Sequence, residues 1–167
     1  MKARNHLTTH LLIVITIAFF CFYVPSFKNF FISLFDPFKN NLLIMLIGLG
    51  LFFLGAILPD SDSFNRGSYI FYTKFAFLAY IIRILEYPLR LVTWRKKGHR
   101  QSLHTIVGIA FTSLVIAFLI SFIYSLFAQS NVISDSFYLW VACLFSGQLL
   151  HLIEDKIVSP KWKIRLI

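Results

Sequence analysis

The residues able to do chemistry in this chain are few and grouped. Four of the five histidines and four of the seven acidic residues fall in four short patches: Thr9-His10-Leu11-Leu12, Leu58-Pro59-Asp60-Ser61-Asp62, Gly98-His99-Arg100-Gln101-Ser102-Leu103-His104 and His151-Leu152-Ile153-Glu154-Asp155. Imidazoles and carboxylates kept together in a chain otherwise short of ionisable groups suggest a metal site. Neither cysteine, Cys21 or Cys143, lies in a patch, so the donors would be nitrogen and oxygen, which suits zinc, manganese or magnesium.

Each patch also has an ordinary reading. His151 and Asp155 are spaced i, i+4, which on a helix puts both on one face, able to share a metal; any polar helix end looks the same. Glu154 points elsewhere, as a supporting or solvated group. Asp60 and Asp62 flank Ser61 just after Pro59, and a turn there would bring two carboxylates to one point. An aspartate capping the next segment would give the same letters. His99 and His104 are five apart, a poor spacing for one helical face. His99 is therefore expected in a loop, with a helix starting near Ser102 and Ser102 as its cap. Arg100 could hold an anionic group such as phosphate, or simply set topology. His10 sits one turn into an apolar run, with Thr8 and Thr9 as caps; an interfacial histidine is its plain reading, and His6 is an alternative.

Taken jointly, His10, Asp60, Asp62, His99, His104, His151 and Asp155 make seven candidate ligands. One tetrahedral zinc takes about four, so seven suit two metals, or one metal with carboxylate–histidine pairs behind it. Mixed His/Asp sites of this type activate water for hydrolysis. Arg100 would then steady an anionic substrate or transition state, and Asp62 or Glu154 would serve as general base.

Such a cluster must be positioned by elements that are almost wholly apolar. The chain has 167 residues, 58% of them hydrophobic, with 20 phenylalanines; soluble domains run nearer ~45–50%. The composition predicts one all-α, polytopic membrane domain with four transmembrane helices, about 7–24, 41–58, 106–128 and 137–153. Each is near the ~20 residues that cross ~30 Å of hydrocarbon. The first has no small-residue cleavage motif after it and reads as an uncleaved anchor. A further apolar stretch, Phe75 to Val92, carries Arg83, Glu86 and Arg90 on one face and reads as an interfacial amphipathic helix. Phe27 to Phe38 reads as an aromatic outer loop, and Gln129 to Ser136 as a polar one. The two cysteines lie in apolar runs and read as buried free thiols.

Charge orients this arrangement. With four spans, fourteen of the 16 lysines and arginines fall on one side, in the N-terminus, the 59–105 loop and the C-terminal tail; Lys28 and Lys39 fall on the other. The positive-inside rule puts both termini and the large loop in the cytoplasm. The net charge of +9 then reflects topology and attraction to membrane lipid, and no nucleic-acid partner is expected. All seven candidate ligands come out at the same depth on the same side.

The patches resemble the YdjM-like membrane-bound metal-dependent hydrolases, a family that includes a LexA-regulated inner-membrane member. Its pattern is an N-terminal histidine before an apolar span, then Leu-Pro-Asp-x-Asp-His, His-Arg-x-x-x-His and His-Leu-x-x-Asp. Here His10, Leu58 to Asp62, His99 to His104 and His151 to Asp155 match in order and spacing, across nearly the whole chain. Ser63 stands where the family has histidine, and Leu103-His104-Thr105 replaces the usual Thr-His-Ser. The resemblance implies a four-span helical fold in the inner membrane and a hydrolase activity; the chemistry of the metal site suggests an ester or phosphoester, including that of a lipid, as what it acts on. It supplies no particular substrate. Another class of function remains open: a non-enzymatic membrane protein whose cluster clamps helix ends through a metal or hydrogen bonds. A metal transporter would place its ligands at mid-membrane, which this pattern does not.

Overall fold

A computed structural model describes residues 3–36, 41–62, 84, 87–88, 102–128, 131 and 133–158. Among them the fold is all-α, with five α-helices: α1 (Ala3–Tyr23), α2 (Pro25–Phe35), α3 (Leu42–Gly55), α4 (Ile106–Ala128) and α5 (Asp135–Val158). Two short 3-10 turns, Pro59–Asp62 and Ser102–His104, lead out of α3 and into α4. The amphipathic helix expected at Phe75–Val92 falls almost entirely outside the described residues.

Among the described residues two helices are long and apolar enough to cross a membrane: α4, and α5 from Asp135 to Asp155. The apolar parts of the others, Leu7–Tyr23 and Leu42–Gly55, are shorter. At ~1.5 Å per residue, the 14 residues of α3 reach about 21 Å.

The side chains are sorted as in a membrane bundle. Apart from Ile109 and Ile116, the buried face of α4 is small or polar, with Gly108, Thr112, Ser113, Ala117 and Ser121. Its exposed face carries Leu114, Phe118, Phe122, Leu126 and Phe127. Small residues at the interface let backbones approach, while large apolar groups face hydrocarbon without cost.

The central element is α5, which packs on α3, α4 and α1. Its crossing with α3 depends on two glycines. A Cβ on Gly55 would lie 2.7 Å from the Gln148 amide nitrogen, and one on Gly147 would collide with the Phe52 carbonyl. Further along the same interface, the Trp140 indole donates to the Ile44 carbonyl at 3.0 Å. Buried Trp140, Leu144, Leu51, Ile116 and Ala117 form the core around it.

Three local features differ from the sequence expectation. The segment expected as an aromatic outer loop is α2. Val24 is extended, as a residue before proline tends to be, and Pro25 takes the first helical position, where its missing N–H costs nothing. The second apolar run is helical to Gly55 and then tightens into turns through Leu58. The cap of α4 is Thr105 rather than Ser102: its hydroxyl accepts from the Gly108 amide at 2.9 Å.

Candidate metal centre

The end of α3, the turn before α4 and the last turns of α5 bring four ligand atoms together. The His151 side chain is fully buried, and its Nδ1–H donates to the Ala56 carbonyl at 2.7 Å. A carbonyl can only accept, so the other nitrogen, Nε2, carries the lone pair. That nitrogen lies 3.6 Å from Asp60 Oδ1 and 4.0 Å from Asp155 Oδ2. His104 Nε2 closes the ring, 3.9 Å from the same Asp60 oxygen and 3.8 Å from the same Asp155 oxygen. The two imidazoles stand nearly edge to face, with centroids 5.5 Å apart.

Nitrogen and oxygen thus alternate around a small ring, at separations beyond the ~2.7–3.2 Å of direct hydrogen bonds. A tetrahedral ion with bonds of ~2.0–2.1 Å would hold its ligand atoms roughly 3.3 Å apart, so a modest contraction would suit one. The four side chains are at most 13% exposed. Two carboxylates so far from water call for a cation. The ligand atoms of Asp60, His104 and His151 all lie within 4.8 Å of one another, so this buried group could hold a metal ion. Asp155 adjoins it through both histidines.

His10 stands beside this ring on α1. Its Nε2–H donates to the Gly147 carbonyl at 3.0 Å, its Nδ1 faces Glu154 Oε1 at 3.3 Å, and Phe52 packs on its ring with centroids 4.9 Å apart. The His10 side chain is fully buried and that of Glu154 only 7% exposed, so Glu154 is not solvated. His99, Arg100, Ser63 and the side chain of Asp62 lie outside the described residues; the backbone of Asp62 closes the Pro59–Asp62 turn.

The sequence reading missed a polar seam beside the centre. Gln148 is fully buried, donates to Ser113 Oγ at 2.9 Å and accepts from the Thr112 hydroxyl at 3.0 Å. This joins α5 to α4 one turn from His151. The signal was present: a glutamine inside an apolar run, three residues before His151 and so on the same helical face.

The fold and the buried centre together define a helical membrane protein with a candidate metal site at one end of its bundle. The sequence profile of the YdjM inner membrane protein family matches residues 5–166, and the chain belongs to that family. No curated protein and no solved structure matches the chain.

Proposed function

We propose that the chain is a multi-pass inner-membrane hydrolase whose metal is held by Asp60, His104, His151 and Asp155, acting on an ester or phosphoester at the cytoplasmic face. The observation that carries this reading is the buried ring of alternating imidazole nitrogens and carboxylate oxygens, 3.6–4.0 Å apart. A divalent metal there supplies an activated water and polarises the scissile bond. Around it, Ala56 fixes the tautomer of His151. Glu154, backed by His10, moves the proton. Arg100, just before the turn that carries His104, binds an anionic part of the substrate, and His99 and Asp62 stand ready for a second ion. In this reading α1 and α3 also cross, giving four passes with both termini inside. A cysteine at Asn131 (Asn131→Cys) would then react with an impermeant maleimide from outside; reaction only from inside would reverse the topology.

The test is metal analysis of the purified protein. The expected result is a bound divalent metal that falls at least ~10-fold in His104→Ala and Asp60→Ala. No metal, or content unchanged in both, would end this reading. A second reading, a structural clamp, is favoured by the four protein donors, which by themselves complete a tetrahedral shell. It predicts metal without turnover.

A further inference from the structure

Gly50 on α3 has no packing role. Gly48 meets Cys143 and Trp140, and Gly55 meets the α5 backbone, but a Cβ on Gly50 would have nothing within 4 Å. Glycine inside a helix costs about 1 kcal/mol relative to alanine. Here it provides depth. Gly50 lines an apolar groove of about 430 Å³ along α3, together with Ile47, Leu51, Phe53, Leu54 and Ile57 and with Leu7 of α1. From Ile47 to Ile57 the groove follows about 15 Å of helix.

The position of two lining residues is the informative part. Ile57 lies between Ala56, whose carbonyl holds His151, and buried Leu58, which leads to Asp60. Leu7 is one turn before His10. Two residues that line the groove, Ile57 and Leu7, thus stand next to Ala56 and one turn from His10, both of which hold histidines of the candidate site in place or belong to it.

We propose that this groove seats one acyl chain of an anionic phospholipid and so presents its phosphoester end to the Asp60/His104/His151/Asp155 centre. The presentation rests on the hydrolase reading; the seating does not. Among the described residues the groove's lining is apolar, as a hydrocarbon chain requires. Another helix needs ~8–10 Å between axes, and a groove that one missing side chain deepens suits something more slender. The chain's +9 charge favours an anionic headgroup. A second apolar groove of about 480 Å³, between α3 and α4, shares Ile47 with the first and reaches Leu43, Tyr124 and Ala128; its Ala128 side serves as the control.

The experiment uses the full chain in phosphatidylglycerol nanodiscs doped with a phosphatidylglycerol that carries a photoreactive diazirine on one acyl chain. Adducts are mapped by mass spectrometry. Adducts on Leu54, Ile57 and Leu7 are expected to exceed those on exposed Phe22 and Phe127 by roughly tenfold, about 1.4 kcal/mol of preference. Gly50→Leu and Gly50→Phe, which fill the groove, should abolish that excess, with Ala128→Leu leaving it intact. Adducts spread evenly over the apolar surface would overturn the proposal. So would an excess that survives both Gly50 variants, or crosslinks showing a second copy of the chain in the groove. Hydrolysis is read separately. Gly50→Leu should slow cleavage of phosphatidylglycerol roughly tenfold and leave a chainless phosphodiester, bis(p-nitrophenyl) phosphate, unaffected. Groove adducts with neither substrate cleaved would end the hydrolase reading while the acyl-chain seat stands.

Discussion

His151 Nε2 and Asp60 Oδ1 approach to 3.6 Å, the shortest edge of the buried ring. One strip of chain is responsible for both sides of that imidazole. The Ala56 carbonyl accepts the hydrogen bond of Nδ1–H, and four residues later Asp60 faces Nε2. The end of α3 thus sets the tautomer of the ring and supplies the carboxylate opposite its lone pair. A carbonyl–histidine–carboxylate line of this kind orients a ligand and raises its basicity.

From this relationship, His151→Ala and His104→Ala should differ. Both should reduce metal content. Only His151→Ala also removes the donor from the buried Ala56 carbonyl, which should cost a further ~1–3 kcal/mol. Thermal unfolding of both proteins stripped of metal by chelator reads this difference directly. Equal stability of the two variants would show that the Ala56 contact does not hold the ring.

Gly147 is the point where three helices meet. Its missing Cβ lets α3 approach, and its carbonyl accepts from His10 on α1. Gly147→Ala should therefore cost ~1–3 kcal/mol by overpacking. Gly50→Ala, which meets open space, should be neutral or gain up to ~1 kcal/mol from helix propensity. Unfolding in a fixed detergent compares them, and an equal loss in both would argue against close crossing at Gly147.

Helical class and the candidacy of Asp60, His104 and His151 were legible because both depend on local signals. Apolar runs report helices, and the i, i+4 spacing of His151 and Asp155 puts them on one face. That Asp60, Asp62 and His104 lie near helix ends follows from Pro59 and from the polar letters around them. The tertiary details had no such signal. Nothing local says that Glu154 is buried against His10, because that depends on how α1 leans on α5. Phe27 to Phe38 reads as a loop from its position between two apolar runs and from Pro37, whereas Pro25, at the first helical position, starts a helix there. Ser102 and Thr105 are equally good caps by residue type, and the 3-10 turn of Ser102–His104 decides for Thr105. Gln148 was overlooked because the surrounding run is strongly apolar on average, although the polar exception was the informative residue.

The Thr112–Gln148 bond can be isolated. The single Thr112 hydroxyl proton also has the Gly108 and Ile109 carbonyls within reach as competing acceptors, and Gln148 also reaches Ser113, so either single substitution disturbs more than one contact. A double-mutant cycle with Thr112→Val and Gln148→Leu removes the shared part. Such bonds between membrane helices average ~0.6 kcal/mol and reach ~1.7, and the buried seam predicts a coupling in that range. A coupling of zero would mean that the Thr112–Gln148 bond itself adds nothing to the hold of α4 on α5.

Proton bookkeeping distinguishes a working role for His10 and Glu154 from a structural one. His10 Nε2–H is committed to the Gly147 carbonyl. A proton between Nδ1 and Glu154 Oε1, 3.3 Å apart, can therefore reside on either partner, as an imidazolium facing a carboxylate or as a neutral ring facing a carboxylic acid. Glu154→Gln keeps a donor toward Nδ1 and most of the shape, but removes the transferable proton. If the pair moves a proton during hydrolysis, this variant should fold, retain its metal and lose ~10²–10⁴-fold in turnover, the usual share of general acid–base catalysis. His10→Ala should lose less turnover and more stability, because it vacates a fully buried site between Phe52 and Gly147. Turnover per bound metal is the quantity to measure. Turnover of Glu154→Gln within about twofold of the unmodified chain, well short of the tenfold that 1.4 kcal/mol represents, would make the pair a clamp between α1 and α5 and leave the general base to be sought elsewhere, beginning with Asp62.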